Sequence, residues 1–207
     1  MTGLTEKYRP HRIADFVGLD KPKRIISVFA MRPFQSAWVF VGPPGVGKTA
    51  MALALAEEIG GELHHIPSQK CVLANVEEMV RKCYYFPFGG RYHVVLADEA
   101  DQMSSAAQLA FLSLLDATGF PPNTIFVFTC NETRRLEKRF LSRCRVVEFS
   151  SYGLNGVGSK FLERVWDAEY VEGRFDAKPD FSRILKNSGN NLRDALMRVE
   201  MELLSAS

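Results

Sequence analysis

The sequence lacks the features that would assign it to a membrane, secreted or fibrous class. Its 207 residues include no run of about 20 consecutive apolar residues, which is the length that a membrane-spanning helix needs. The first ten residues (MTGLTEKYRP) carry charges where a secretory leader has its apolar core. There is also no internal repeat, low-complexity tract or flexible linker. We therefore expect a soluble protein without membrane contact, cytoplasmic, or nuclear if the source is eukaryotic.

The sequence also has no large excess of basic or acidic residues. The chain has 26 basic and 24 acidic residues, which leave a formal net charge of +2. A uniformly basic surface for nucleic acid is therefore not predicted, although a local basic patch remains possible. With 46% hydrophobic residues, the chain is long enough to bury one full domain and a smaller second unit.

Cysteine is scarce and is not spaced as a metal site. The chain has four cysteines, Cys71, Cys83, Cys130 and Cys144, and no two of them have the C-x-x-C spacing that is typical of zinc sites. We expect reduced thiols in a reducing compartment. No third ligand is suggested for the pair His64 and His65, so these histidines are interpreted as structural.

The most informative motif that is present is VGPPGVGKT, at residues 41–49. It has the spacing of a phosphate-binding loop, whose glycines let backbone N–H groups point at phosphate oxygens. Lys48 can reach the β- and γ-phosphates, and Thr49 can offer its hydroxyl to Mg²⁺ at the start of a helix. The predicted nucleotide contacts are Gly42, Pro43, Pro44, Gly45, Val46, Gly47, Lys48, Thr49 and Ala50.

Apolar runs alternate with helix-forming runs over the first 150 residues. The runs predict strands at 36–41, 62–66, 93–96, 124–129 and 145–149, and helices at 50–59, 75–82, 105–117 and 134–140. Ser105 and Gln108 have the spacing of a capping box. This alternation predicts an α/β fold with a five-stranded parallel sheet that helices cover on both faces.

The strand pattern stops at about residue 151. Three helices are predicted beyond it, near 158–168, 180–187 and 191–204, with turn residues between them. We therefore predict a nucleotide-binding α/β domain at residues 1–150 and a small helical domain at residues 151–207.

Adjacent carboxylates follow the predicted strand at 93–96, in the run HVVLADEAD. Asp98 lies fifty positions after Lys48 and can hold Mg²⁺ through water, while Glu99 can polarise an attacking water as general base. An acidic loop at a strand end is the commoner explanation of so short a motif. The phosphate-binding loop in the same chain favours the catalytic interpretation.

Taken in order, these motifs resemble those of AAA+ ATPases of the clamp-loader group, which includes replication factor C small subunits and bacterial and phage clamp-loader subunits. The resemblance covers nearly the whole chain. It implies a P-loop NTPase domain with a helical lid, and hydrolysis of ATP to ADP and phosphate with ATP and Mg²⁺ as cofactors. The implied partners are other AAA+ subunits in a pentamer-like ring, a sliding clamp and DNA.

Further site residues follow from this resemblance alone. The segments EKYRP and DFVG resemble the part of the family that packs on adenine, which implies contacts by Tyr8, Arg9, Pro10 and Val17. Asn131 matches the first sensor beside the γ-phosphate, and Arg193 matches the second sensor on the lid. Arg143, in a Ser-Arg-Cys motif, matches the arginine finger that enters a neighbouring subunit's site in trans.

Each of these assignments has a simpler alternative. The first segment could be an exposed N-terminal arm, and Asn131 could be a turn-forming residue after a strand. Arg143 could be a solvated surface arginine. Arg193 could be an ordinary residue at a helix start.

The chain departs from the family pattern in two places. Members usually carry a third, C-terminal collar domain, whereas these 207 residues extend only through the helical domain. The predicted helix at 105–117 contains no Lys or Arg, although family members present basic side chains to DNA there. Other cations could contact DNA phosphates: Lys70, Arg81, Lys82, Arg134, Arg135, Lys138 and Arg139. Alternatively, the same side chains could form a solvated charged face without any contact with DNA.

Three functions therefore stay open at the level of sequence. The first is an ATP-hydrolysing subunit of a clamp-loader-like complex that assembles a protein ring on DNA. The second keeps the ATPase but assigns it to DNA remodelling or helicase loading. The third is a nucleotide-dependent interaction protein that does not hydrolyse ATP.

Overall fold

The computed structural model describes residues 2–67, 71–116, 118–170 and 178–205. A five-stranded sheet lies at its centre, and all of its neighbouring strands pair in parallel. The strands are β1 (Ser36–Val41), β2 (Glu62–Ile66), β3 (His93–Ala97), β4 (Thr124–Cys130) and β5 (Arg145–Glu148). They are arranged in the order β2-β3-β4-β1-β5. The predicted five-stranded parallel sheet is thereby confirmed.

Helices flank the sheet and follow it in the chain. They are α1 (Leu4–Lys7), α2 (Asp20–Met31), α3 (Lys48–Glu58), α4 (Leu73–Cys83), α5 (Ser105–Leu114), α6 (Lys138–Leu141), α7 (Leu154–Glu169), α8 (Phe181–Asn187) and α9 (Leu192–Ser205). Helices α1 and α2 were not predicted. In α2 the charged residues are confined to the first half, and the buried residues Pro22, Ile26 and Phe29 recur at the helical spacing i, i+4, i+7, so its pattern is that of an amphipathic helix.

The strands are apolar because helices cover both faces of the sheet. On one face, β-strand residues such as Phe126 and Phe128 pack with Phe111 of α5 and with α4. On the other face, Ile125 and Val127 pack in a core with α2 and α3. Strands β1, β3 and β4 are buried almost throughout, as expected for a two-sided core.

A third core holds the C-terminal helices together. Leu162, Leu185 and Val199 are fully buried where α7, α8 and α9 meet. The N-terminal Leu4 belongs to this core as well, and its backbone N–H donates to Glu200 Oε1 at 3.0 Å. The first residues therefore pack with the C-terminal helices. The division of the chain at residue 150 stays a prediction.

The capping-box prediction was wrong by one residue. The N-cap of α5 is Ser104, whose Oγ accepts from the N–H of Ala107 at 3.2 Å. Gln108 contacts another segment instead, because its amide donates to Arg135 O at 3.0 Å and its oxygen accepts from Glu137 N at 3.3 Å. These contacts are tertiary, so local spacing does not reveal them.

Two predicted helices are shorter than expected. Helix α5 ends at Leu114 rather than near residue 117, which lies outside the described residues. Helix α6 spans only Lys138–Leu141, because the chain before it forms a turn in which Leu136 N donates to Thr133 O. Among the helices of the described residues, none is long and apolar enough to span a membrane.

Candidate functional site

The phosphate-binding loop joins β1 to α3 at the carboxyl end of the sheet. Gly45 and Gly47 have φ values of +76° and +95°, and Gly47 is the N-cap of α3. A Cβ atom on Gly45 would lie 2.1 Å from Asn191 Oδ1, so this position also permits a close approach by the C-terminal helices. Both conformations favour glycine, which has no Cβ.

A cavity of about 380 Å³ lies between this loop, the N-terminal segment and the C-terminal helices. Its walls include all four residues that the resemblance assigned to adenine, together with apolar side chains from α7 and α9: Tyr8, Arg9, Pro10, Val17, Phe161, Leu192 and Leu196. Val46 lines it from the loop. The lining also includes the charged residues Glu6, Arg9 and Asp15. Apolar walls combined with polar groups suit a flat ring system that carries hydrogen-bonding atoms at its edge.

Tyr8 is held in place on one wall of that cavity. Its hydroxyl donates to Glu169 Oε1 at 2.5 Å, and its ring meets Phe161 edge-on with centroids 6.4 Å apart. Burial, together with the hydrogen bond to Glu169, raises the pKa of Tyr8 to about 12. Lys7 donates to the same carboxylate oxygen at 2.6 Å. The N-terminal segment is thus fastened to α7.

A second cavity of about 170 Å³ adjoins the first and is more polar. Its polar lining includes predicted residues from four parts of the chain: Lys48, Thr49, Asp98, Glu99, Asn131 and Arg193. Gly45, Gly47, Thr49, Ala50 and Arg193 line both cavities. The two spaces therefore form one site with an apolar end and a charged end.

Lys48 is the buried cation of this site. It is 8% exposed, and its Nζ donates to Gly42 O at 2.7 Å, Pro43 O at 2.9 Å and Asn131 Oδ1 at 3.1 Å. Burial lowers the pKa of Lys48, while the nearby carboxylates of Asp101 and Asp98 act in the opposite direction. The carbonyls of Gly42 and Pro43 thus hold the ammonium at the edge of the charged cavity.

Two hydroxyl groups converge on one oxygen of Asp98. Thr49 Oγ1 donates to Asp98 Oδ1 at 2.7 Å, and Thr129 Oγ1 donates to the same atom. The other oxygen, Oδ2, lies 3.9 Å from His65 Nε2. A threonine hydroxyl beside a carboxylate is a set of hard oxygen donors of the kind that Mg²⁺ prefers, so these residues fit the predicted ion.

Glu99 follows Asp98 in a left-handed turn. Its φ and ψ are +51° and +50°, and its N–H donates to Thr129 Oγ1 at 3.0 Å. Positive φ costs a non-glycine residue about 1–2 kcal/mol. Such strain occurs preferentially at functional sites, where the surrounding structure maintains it.

Two further polar residues at this end of the sheet were not singled out from the sequence. Thr129 bonds both Asp98 and the backbone of Glu99. Asp101 is buried, and its Oδ1 accepts from Asn131 N at 3.4 Å. A polar residue near the end of an apolar strand, and a third carboxylate after the adjacent pair, are the signals that could have identified them.

The last helix reaches the loop directly. Asn191 Oδ1 accepts from the N–H groups of Arg193 at 3.0 Å and Asp194 at 3.2 Å, which caps the start of α9. The amide of Asn191 donates to Pro44 O at 3.3 Å. This placement brings Arg193 into the first turn of α9 and against both cavities.

Three predicted site residues line neither of the two cavities: Gly42, Pro43 and Arg143. The carbonyls of Gly42 and Pro43 accept from Lys48 Nζ instead. Arg143 Nε donates to Asp116 Oδ1 at 2.6 Å, and its guanidinium also donates to Arg139 O at 2.8 Å. Of the other predicted cations, Lys82, Arg134 and Arg139 have acidic partners on the surface. Lys70 lies outside the described residues.

Comparison with known proteins agrees with this fold. The chain is 32% identical over 199 residues to a replication factor C small subunit 1 of Pyrobaculum aerophilum, covering 92% of this chain and 59% of that protein. It is 33% identical over 155 residues to replication factor C subunit 2 of Arabidopsis thaliana, covering 70% and 46%. The chain thus spans about half the length of the curated relatives it matches.

A solved structure shares the fold at lower identity. The structure described as the Thermotoga maritima RuvB Holliday junction branch migration motor superposes with a TM-score of 0.76 at 19% identity, over 93% of this chain and 64% of that one. At this identity the likeness supports the fold alone. Residues 38–152, more than half of the chain, match the family described as the ATPase family associated with various cellular activities. The chain belongs to this AAA family.

Proposed function

We propose that this chain binds ATP with Mg²⁺ and hydrolyses it as a subunit of a clamp-loader-like complex. One observation carries the proposal. Side chains from the loop, β3, β4 and α9 converge on the charged end of a single site whose other end is apolar. Membership of the AAA family supports nucleotide binding, and the similarity to replication factor C small subunits supports the clamp-loader assignment.

The apolar end of the site would bind the adenine, and the charged end would bind the triphosphate. Adenine would occupy the apolar end, against Tyr8, Pro10 and Val17, with Arg9 at its edge. The triphosphate would lie along the loop at the start of α3, where backbone N–H groups and the helix dipole favour an anion. Lys48 would exchange its contacts with loop carbonyls for contacts with phosphate oxygens.

Hydrolysis needs a metal ion, a base and groups that stabilise the transition state. Bound Mg²⁺ would neutralise charge on the β- and γ-phosphates, and Thr49 and Asp98 would hold it. Glu99 would accept a proton as water attacks the γ-phosphorus and the bond to the departing ADP oxygen breaks. Asn131 would orient the reacting groups, and Arg193 would stabilise charge on the γ-phosphate from the side of α9.

Arg143 would act on a neighbouring subunit. Its guanidinium does not line the site of its own chain; it is 30% exposed and pairs with Asp116. In an assembled ring, the γ-phosphate of the next subunit would replace Asp116 as its anion. Such arginine fingers contribute about 10³- to 10⁵-fold to turnover in related phosphoryl transfer.

The DNA and clamp contacts would use other surfaces. Helix α5 has no Lys or Arg, so DNA contact would depend on cations outside it. A protein clamp could cover the exposed aromatic segment at residues 84–88 (YYFPF), where Phe86 is 90% and Phe88 is 100% exposed. Contiguous exposed apolar side chains of this kind mark protein interaction surfaces.

The proposal is tested by measuring ATP turnover under three conditions. These are the protein alone, the protein with primed DNA, and the protein with primed DNA plus the clamp from the same source. We expect DNA to stimulate hydrolysis and the clamp to stimulate it further. The double variant Phe86→Ser/Phe88→Ser should lose only the clamp effect, whereas the matched change Met31→Ser at another exposed apolar position should retain it. Stimulation by DNA that the clamp does not change would favour DNA remodelling. Nucleotide binding without turnover under every condition would favour the non-hydrolysing alternative.

A further inference from the structure

A cluster of metal-ligating side chains lies at the end of the sheet opposite to the nucleotide site. His64 Nε2, Cys83 Sγ and His93 all offer ligand atoms within 4.8 Å of one another. His64 Nε2 and His93 Nδ1 are 2.9 Å apart. Four strand residues lie between His93 and Asp98, so their Cα atoms are about 16 Å apart along β3.

The fold itself brings these residues together. Strands β2 and β3 pair with Glu62 opposite His93, and side chains two apart on a strand share a face, so Glu62, His64 and His93 lie on one face of the sheet. Helix α4 packs on that face and ends at Cys83. Because the ligands come from three elements, their spacing in the sequence does not resemble a zinc motif.

The hydrogen bond between His93 and Tyr85 leaves one ring nitrogen of His93 able to bind a metal ion. Its Nε2 lies 2.9 Å from Tyr85 O, and a carbonyl only accepts, so Nε2 carries the hydrogen and Nδ1 presents a lone pair toward the cluster. In metal-bound histidines the ring nitrogen that does not bind the metal usually donates its hydrogen to a carboxylate, a backbone carbonyl or water, and Tyr85 O would be that outer partner here. His93 is 2% exposed and Cys83 is fully buried.

A carboxylate lies beside the two histidines. The two oxygens of Glu62 lie 3.7 Å from His64 Nε2 and 3.6 Å from His93 Nδ1. We propose that His64, Cys83 and His93 bind one Zn²⁺, with Glu62 as the fourth ligand. Ligand atoms of a tetrahedral zinc site are about 3.3–3.6 Å apart, as follows from bond lengths of about 2.0–2.3 Å. To reach it, His64 Nε2 and His93 Nδ1 would move apart from 2.9 Å, and Cys83 Sγ, which lies within 4.8 Å of the histidine nitrogens, would move closer to them.

Zinc at this position would be structural. Four protein ligands leave no open coordination position, and they would join β2, β3 and α4. The same residues also hold the exposed aromatic segment, since His93 bonds Tyr85 O and Glu62 accepts from Phe88 N at 2.7 Å. The ion would therefore fix both ends of the segment at residues 84–88, whatever partner that segment contacts.

Titration with Co²⁺ as a spectroscopic probe, followed by displacement with Zn²⁺, tests this site. The full chain is first stripped with a chelator in the absence of nucleotide. We expect one equivalent of Co²⁺ to bind, with tetrahedral d–d absorption and a thiolate-to-cobalt charge-transfer band, both abolished by Zn²⁺. Cys83→Ser should remove the charge-transfer band, and His64→Asn should weaken affinity by at least about 10- to 100-fold.

Matched variants exclude other sources of the signal. Cys144→Ser and His11→Asn change the same residue types elsewhere, and Asp98→Asn removes the carboxylate of the nucleotide site; all three should keep the full spectrum. His64 is only partly buried, so His64→Asn remains informative if Cys83→Ser fails to fold by circular dichroism. A spectrum without sulfur charge transfer, or an unchanged affinity in His64→Asn, would overturn the assignment.

Discussion

At the scale of single residues, the position of Asp98 depends on the hydroxyl of Thr129. That hydroxyl donates to Asp98 Oδ1, and it also accepts from Glu99 N at 3.0 Å. One side chain on β4 thus orients both carboxylate-bearing residues at the end of β3. A hydrogen bond to a charged group is worth about 1.5–3 kcal/mol, more than a bond between neutral groups.

Replacement of Thr129 by valine tests this role. Thr129→Val keeps the shape but removes both hydrogen bonds, so we expect ATP turnover to fall by about 10- to 100-fold with a higher Mg²⁺ requirement. Thr124→Val is the control, because Thr124 is buried on the same strand but bonds Pro122 O instead. Equal turnover in the two variants would contradict the assigned role of Thr129.

The sequence predicted some residues of this site better than others for a physical reason. The loop at 41–49 and the pair Asp98 and Glu99 carry their chemistry in adjacent positions, so spacing alone indicates them. Thr129 acts across the β3–β4 pairing, in which Ala97 lies opposite Phe128. That register is a property of the folded sheet.

At the scale of elements, the start of α9 connects the C-terminal helices to the phosphate-binding loop. Asn191 caps α9 through two backbone N–H groups and also donates to Pro44 O. The absence of a side chain at Gly45 permits this approach. A single residue thus caps a helix whose first turn carries Arg193 against both cavities.

The two roles of Asn191 can be separated experimentally. Loss of a helix cap costs about 1 kcal/mol, so Asn191→Ala should lower the melting temperature by about 2–4 °C. It should also weaken nucleotide affinity by about 3- to 10-fold, since the contact with Pro44 is lost. Asp180→Ala provides the comparison, because Asp180 caps α8 by accepting from Arg183 N at 3.0 Å. It should match the thermal shift without a change in affinity; a similar loss of affinity would rule out a specific role for Asn191.

Elements were predictable where burial determines their composition. The strands follow from apolar runs because the sheet is covered on both faces. Helix α2 was missed although Pro22, Ile26 and Phe29 recur at the spacing of a helix face, so here the local pattern did contain the signal. The cap of α5 and the length of α6 depend on contacts such as that of Gln108 with Arg135, which local patterns do not contain.

At the scale of the whole molecule, the site is proposed to be completed by a second subunit. Tyr8, Lys48, Asp98 and Arg193 all reach one pair of cavities in a single chain, whereas Arg143 does not. The family resemblance indicated Arg143 but could not show its surroundings. Its contacts with Asp116 and Arg139 are those of an arginine held near the surface.

A mixture of two inactive variants tests action in trans. Arg143→Ala should lower turnover by about 1,000-fold, and Lys48→Ala should remove phosphate binding. In mixed assemblies, an intact site on an Arg143→Ala subunit can receive Arg143 from a Lys48→Ala neighbour, so part of the activity should return. Arg139→Ala, at another exposed arginine, should be active alone. An assembled mixture with no recovery would refute the placement of Arg143.

Glu99 is proposed to be the general base of ATP hydrolysis at this site, and the most direct test compares turnover by wild type and Glu99→Gln, with ATP affinity measured in both. A general base contributes about 10²- to 10⁴-fold. We expect Glu99→Gln to bind ATP with nearly wild-type affinity and to hydrolyse it at least about 100-fold more slowly, with and without DNA. Equal turnover by the two proteins under both conditions would contradict the proposed role of Glu99.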